Sequence, residues 1–351
     1  MAYTTIDDPS AHFHIQLYSG DGNTNRDITN DANAGDFKPD WLWLKNRTDG
    51  STQNMLFNSN VGMPNHLHAD NNDAEQTATN KATVFNTDGF RIQDHSQVNG
   101  SGKNYVAWQW KANGGTTSSN GNGSVTSTVQ ANTTAGFSIV TYTGTGSGNT
   151  IGHGLGATPD WIIVKVRSTT NNWGVWHKDL GGANKYLKLN TSDSNITATD
   201  VWNNTLPTST VFSTGAAGTT NDSGETYVAY CFTSIKGYSK FGSYVGDGST
   251  DGTFVYTGFK PAWLMVKCTS NSGDYWFICD NKRDIDNPVV AGIRADTDNN
   301  ENSGLMAFDF LSNGFKAVDS GGQNLSGRDY IYMAFAEHPF VSSEGGPVTA
   351  R

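Results

Sequence analysis

Four carboxylates in the last third of the chain, Asp280, Asp284, Asp309 and Glu337, are the residues dense enough to suggest glycoside hydrolysis. That chemistry needs two carboxyl groups facing one cleft roughly 5–10 Å apart, and nothing in their spacing brings a pair together. No catalytic residue is therefore assigned, and the chain reads as a non-enzyme. Asp296, Asp298 and Asn300 alternate as oxygen ligands for Ca²⁺ do, and Asp70 to Glu75 forms a similar run. Glu301 stands where a calcium loop of the helix-loop-helix type requires glycine, so a structural Ca²⁺ is the one cofactor the pattern admits. His66 and His68 present two imidazoles to one side without a third ligand, as in a solvated loop. Gly144, Gly146 and Gly148 suggest a phosphate loop, but the run leads into a strand where a nucleotide fingerprint must open a helix.

Trp202, Tyr186, Trp173 and Trp176 lie among Asn and Thr. Flat aromatic faces ringed by amides suit a glycan or receptor, and equally a protein interface. An alternative puts Trp173 and Trp176 in a strand equivalent to Tyr275-Trp276-Phe277-Ile278. Cys231, Cys268 and Cys279 cannot all pair; they read as small buried hydrophobes, with a Cys268–Cys279 bridge as the alternative.

The elements that would position these residues occur three times. Each copy opens on Tyr-x-Gly (Tyr18 to Gly20, Tyr142 to Gly144, Tyr244 to Gly246), continues with a Trp strand (Trp41, Trp161, Trp263), and closes on an aromatic strand beginning at Tyr105, Tyr227 or Tyr330. From Trp to closing Tyr the separations are 105−41 = 64, 227−161 = 66 and 330−263 = 67. A period near one hundred residues exceeds the roughly 20–50 of solenoid and propeller units, so each copy is a domain. The reading is all-β, three tandem β-sandwich, jelly-roll-like repeats: 1–112 with an N-terminal attachment segment, a flexible linker 113–134, then 135–238, 239–341, and a tail 342–351. At most a helical turn is expected, near Ala69 to Thr79.

In the Trp strand, Trp41, Trp43 and Lys45 share one face while Leu42 and Leu44 share the other, and the later copies keep this parity. Both faces are apolar, so the strand must be covered twice, by its sandwich partner and by a neighbouring element or subunit. Asp88-Gly89 and Asn313-Gly314 signal hairpins. Trp41, Trp161, Trp263, Tyr105, Tyr227 and Tyr330 are the expected repeat core.

Only 16% of residues are charged, and the net charge is −10 without a Lys/Arg cluster, which argues against nucleic acid as a partner. The first twenty residues lack a basic and an apolar region, and no apolar run approaches the roughly 20 residues of a membrane helix. The expectation is synthesis in a bacterial cytoplasm, without membrane insertion.

The opening Met1 to Ser10, the Pro-Asp-Trp strands, the junction Lys236 to Tyr244 and the ending Met333 to Phe340 resemble a family of tailed-phage structural proteins of marine and cyanobacterial phages. The resemblance implies a β-rich virion component, often described as a tail fibre. No heptads or collagen-like run accompany it. The expectation is a virion surface protein in host attachment, as fibre or spike, with a host glycan or protein receptor. Homo-oligomerisation, as a trimer, and contacts with other virion proteins go with it. The alternatives are capsid decoration or a head fibre, and a glycan-degrading tailspike.

Overall fold

The Tyr-x-Gly motif is the corner on which each repeat turns. Tyr18 stacks on Tyr105, Tyr142 on Tyr227 and Tyr244 on Tyr330, with ring centroids 5.0, 5.1 and 5.0 Å apart. These tyrosines face one another across the first and last strands of their repeat. The glycine two residues on is required by space: a Cβ on Gly20, Gly144 or Gly246 would collide with the carbonyl oxygen of Gly100, Asp222 or Leu325. A buried asparagine ties the turn from below. Asn99, Asn221 and Asn324 each accept the N–H that follows the glycine, at 3.0, 2.8 and 3.1 Å. Their amides donate back into the same turn, so the buried groups are paired.

The computed structural model describes residues 3–31 and 37–348. Each repeat is a lobe of two antiparallel sheets. In the first, the main sheet runs Phe13–Ser19, Asn104–Trp110, Trp41–Asn46, Met55–Asn58, Asn65–His68 and Gln76–Thr77 across its width. The second lobe repeats this order with Phe137–Thr143, Thr226–Phe232, Trp161–Val166, Gly174–His177, Lys185–Lys188 and Ile196–Thr197. The third uses Ser239–Val245, Asp329–Pro339, Phe259–Cys268, Phe277–Asp280 and Ile293–Arg294. The small sheets are Arg26–Ile28 with Phe90–Ile92 and Ala82–Phe85, then Asn149–Gly152 with Val211–Thr214, then Phe254–Tyr256 with Gly314–Ala317 and Phe308–Leu311. Both expected hairpins form, at Asp88-Gly89 and Asn313-Gly314.

The parity of the Trp strand decides how the lobes assemble. Leu42 and Leu44, Ile162 and Val164, and Leu264 and Val266 face inward to three separate sandwich cores. Trp41 and Trp43, Trp161 and Ile163, and Trp263 and Met265 face the other way, into a single core common to all three lobes. The neighbour that this face demanded is the rest of the same chain. Trp41 stacks on Tyr230 of the second lobe at 4.4 Å, and Phe13 on Phe335 of the third at 4.9 Å. Trp161 meets Trp276 of the third at 5.9 Å. Burying each such ring contributes on the order of 1.5–3 kcal/mol, so the shared core joins the lobes into one body.

Three seams radiate from that core with the same contacts in cyclic order. The Thr52 N–H of lobe one bonds Asp298 O of lobe three, Asn171 of lobe two bonds Asn72 O of lobe one, and Gly273 of lobe three bonds Ser192 O of lobe two, at 3.1, 3.0 and 2.9 Å. Bidentate pairs Arg47–Glu301 and Arg167–Glu75, all bonds 2.9 Å, close the first two seams. In the third, Thr269 and Asn195 stand in their place and keep only the backbone bond, 2.8 Å.

Several expectations need correction. The stretch 113–134 is not a plain flexible linker: Ser118–Asn120 and Ser127–Asn132 are strands added to the edge of the second main sheet. Val129 is buried opposite Val140, and fully buried Gln130 accepts from Gly115 N–H and donates to Ser59, so polar side chains here bond to protein. The N-terminal segment lies against the third lobe: Ile6 enters the shared core, Tyr3 bonds Gly258 O at 2.8 Å, and Asp7 bonds Ser343 of the C-terminal tail. Residues 69–79 contain no helical turn. Short turns occur instead at Ser96–Asn99, Gly218–Asn221 and Gly322–Asn324, directly before each closing strand, where the clamp asparagine is held. No described helix is long and apolar enough to cross a membrane.

Candidate functional site

Three of the four carboxylates that first suggested chemistry are engaged separately. Asp280 bonds Arg283 at 2.6 Å, and Asp284 accepts from Val290 and Ala291 N–H groups at 2.6 and 2.5 Å. Asp309 lies in a strand opposite Lys316, and Glu337 pairs with Lys260 at 2.7 Å. These contacts arrange no acid and base around a common cleft.

The expected Ca²⁺ residues each make bonds within the protein. The Asp296 carboxylate accepts the Trp276 N–H at 3.1 Å, Asp298 contributes its backbone oxygen to Thr52 and Lys45, and Asn300 donates to Glu301 O. Burial pushes Asp296 up to about 7 and Asp70 up to about 6. Among the described residues, no three His, Cys, Asp or Glu side chains gather as metal ligands would.

His66 and His68 are buried in a strand, not solvated, and burial pulls them down to about 4 and about 3. Lys81 donates to His66 Nε2 at 3.2 Å, and His66 Nδ1 donates to Pro64 O at 3.2 Å. The nitrogen a metal would take is thus already used.

The loop aromatics also belong to the interior. Trp173, Trp176 and Trp202 are at most 4% exposed, so these three offer no flat face to a glycan, while partly buried Tyr186 packs on the core of the second lobe. Trp173 occupies the place of Trp276, each directly before a strand, Gly174–His177 or Phe277–Asp280, and Trp176 lies within the first of these. Trp173 Nε1 bonds His68 O and Trp276 Nε1 bonds Lys188 O, both at 2.9 Å across a seam. The six repeat-core aromatics, Trp41, Trp161, Trp263, Tyr105, Tyr227 and Tyr330, are all at most 1% exposed.

All three cysteines are free and buried. Cys279 pairs in register with Leu264, four residues from Cys268 along the strand, so the thiols lie roughly 13 Å apart along it, beyond disulfide reach.

A chamber of about 480 Å³ opens where the first lobe meets the third and is lined by Asp8, His14, Asp31, Lys282, Glu337 and His338 among others. Several of its charged groups are engaged internally. Asp31 lies 3.7 Å from both His14 and Lys282, Glu337 is held by Lys260, and Asp8 accepts from Ser10 at 3.0 and 2.5 Å. Burial, opposed by Asp31, lowers the His14 pKa. The chamber has room for a small polar molecule.

Sequence reasoning missed one position of real chemical variety. The residue facing the seam opposite each Trp is Asn58, His177 or Asp280. Asn58 donates to Tyr230 of the second lobe at 3.2 Å, and Asp280 accepts from Trp108 of the first at 3.0 Å. The fully buried Arg283 then links Asp280 to Glu301 and, through it, to Arg47. Among the described residues His177 Nε2 is buried without a partner, because Met333 stands where the other lobes have Trp108 and Tyr230. Aligning the strand after the Trp strand would have revealed this position.

The family described as "Domain of unknown function (DUF7483)" matches residues 8–339, from the N-terminal segment through the last strand of the third lobe. No curated protein matches the chain.

Proposed function

This chain belongs to the DUF7483 family, and from that premise we propose that it is a non-enzymatic structural protein of a bacteriophage virion surface. The observation that carries the reading is the core shared by three lobes. It makes a stiff body whose parts cannot move independently, as suits a component that transmits or resists force within an assembly. The tailed-phage motifs supply the virion context, and they lie in the elements that build this core and in the two chain ends.

Host attachment as a fibre or spike component is the role proposed first, with receptor contacts made by the loops that differ between lobes. The burial of Trp173, Trp176 and Trp202 favours a second reading, capsid decoration, in which the outer surface is an interface. The Trp strand with two apolar faces called for a neighbouring element or subunit, and both faces are covered within one chain, while the homotrimer, which goes with the fibre role, stays part of this proposal. Any higher assembly is therefore proposed to use the outer surfaces of the lobes. Immunogold labelling of purified virions tests all of this. Gold at the tail tip supports attachment, gold over the shell supports decoration, and unlabelled virions overturn the virion reading.

A further inference from the structure

Each seam is closed by an equivalent backbone bond to the neighbouring lobe. Glu75, Asn195 and Glu301 donate their N–H groups to Arg167 O, Thr269 O and Arg47 O, at 2.7, 2.8 and 3.1 Å. The strand leading to each donor carries His66 and His68 in lobe one, Tyr186 and Lys188 in lobe two, and Gly292 and Arg294 in lobe three. Facing it in lobe one is Lys81, whose carbonyl accepts from Gln93; the same bond is made by Val201 with Gly215 and by Ala307 with Val318. Lobe one thus holds two imidazoles and an ammonium where the others hold at most one cation. His66, His68 and Lys81 are 1%, 4% and 7% exposed.

The hydrogen bonds leave these rings no place for a further proton. His66 Nδ1 donates to Pro64 O and its Nε2 accepts from Lys81, both at 3.2 Å. Asn71 Nδ2 donates to Asp73 at 3.0 Å, which fixes the amide's orientation, and to His68 Nδ1 at 3.3 Å. His68 Nε2 therefore carries its hydrogen, buried without a partner among the described residues. The two rings lie 5.2 Å apart, with Phe57 against His66 at 5.4 Å. A third imidazole, His95, accepts the Gln97 N–H at Nδ1, 3.1 Å, and its charge would add to that of Lys81. The carboxylates of this region act elsewhere: Asp73 on Asn71, Asp94 on His95, and Asp70 on the Asn54 N–H at 2.7 Å and on Lys45. Burial and the Lys81 charge accordingly pull His66 and His68 down, to about 4 and about 3.

We propose that the seam between lobes one and two is an acid-sensitive joint: when His66 and His68 take up protons, the segment 65–77 leaves its place and lets go of lobe two, while the core shared by the three lobes stays closed. The contacts released are Trp173 Nε1 on His68 O, the Asn171 N–H on Asn72 O, and the Arg167–Glu75 pair. An imidazole lowered in the closed form regains its ordinary 6.5 once exposed, so the open form binds more protons between about pH 6.5 and 4. Closure is fully favoured above that window and is lost as pH falls through it. Asp70, raised to about 6 by burial, works in the opposite direction. The proposal does not depend on the virion reading.

Hydrogen exchange of the full chain at pH 8 and pH 5, corrected for the intrinsic rate at each, tests it. Each imidazole shifts the opening equilibrium about thirtyfold between these pH values and Asp70 offsets about tenfold. Protection of the Glu75 amide should therefore fall on the order of thirty- to a hundredfold, while Asn195 and Glu301 change less than about threefold. His66→Gln combined with His68→Gln, neutral at both pH values, should remove the difference at Glu75. Unchanged protection of Glu75 in the native chain overturns the proposal, as does an equal loss at all three amides or a difference that survives in the double variant. The imidazole resonances of the native chain give a check that needs no variant. Titration of His66 and His68 near pH 6.5 with Glu75 still protected would show that the closed form tolerates their charge, and overturns it too.

Discussion

At the residue scale, equivalent positions serve as internal controls. Asp296 and Asn190 each accept the N–H of a Trp, Trp276 and Trp173, at 3.1 and 3.0 Å. Burial raises the folded pKa of Asp296 to about 7 from 3.8, so the unfolded chain releases this proton more readily. Its contribution to stability is greatest below about pH 4 and falls as pH rises to 7. Asp296→Asn should therefore stabilise the protein, by on the order of 1–3 kcal/mol at pH 8 and less at pH 5, read from thermal midpoints at both. Gly144→Ala should act oppositely, costing about 2 kcal/mol or more because its Cβ meets a backbone oxygen that cannot retreat. Denaturant titration measures that loss.

At the element scale, the alternation of Trp41-Leu42-Trp43-Leu44 made the strand, its two covered faces and their depth legible from sequence alone. The identity of the second cover was not legible. Period-two alternation says that a face is buried without saying against what, and a subunit would have left the same pattern. The aromatics misled for a related reason. Trp202 sits among Asn and Thr in sequence, yet packs with Trp176 and Phe212, which lie beyond that polar stretch on either side of it. The stretch 113–134 misled because composition reports flexibility only when polar side chains lack protein partners, and Gln130 has two. Val129→Asp should accordingly destabilise the protein by about 2–4 kcal/mol, as an unpaired charge in a core does, against almost no effect for a true linker. Chemical unfolding of that variant distinguishes the two.

At the scale of the whole molecule, the lobes share too much surface to unfold separately. Calorimetry should show one transition with equal calorimetric and van't Hoff enthalpies, and Trp41→Ala should lower it as a unit. Three resolved transitions would mean that the common core contributes little. The thiols of Cys231, Cys268 and Cys279, all pushed up by burial, should stay unreactive toward a disulfide reagent until that same transition.

A ring made from three identical chains must place the same side chain at all three equivalent points, and any ligand it binds there comes in threes. Here the seam position opposite each Trp is an amide, an imidazole and a carboxylate: Asn58, His177 and Asp280. Being one chain released this body from that repetition. Each of the three places could acquire a different chemistry without disturbing the others, and whatever comes to act at one of them will act with a stoichiometry of one per molecule.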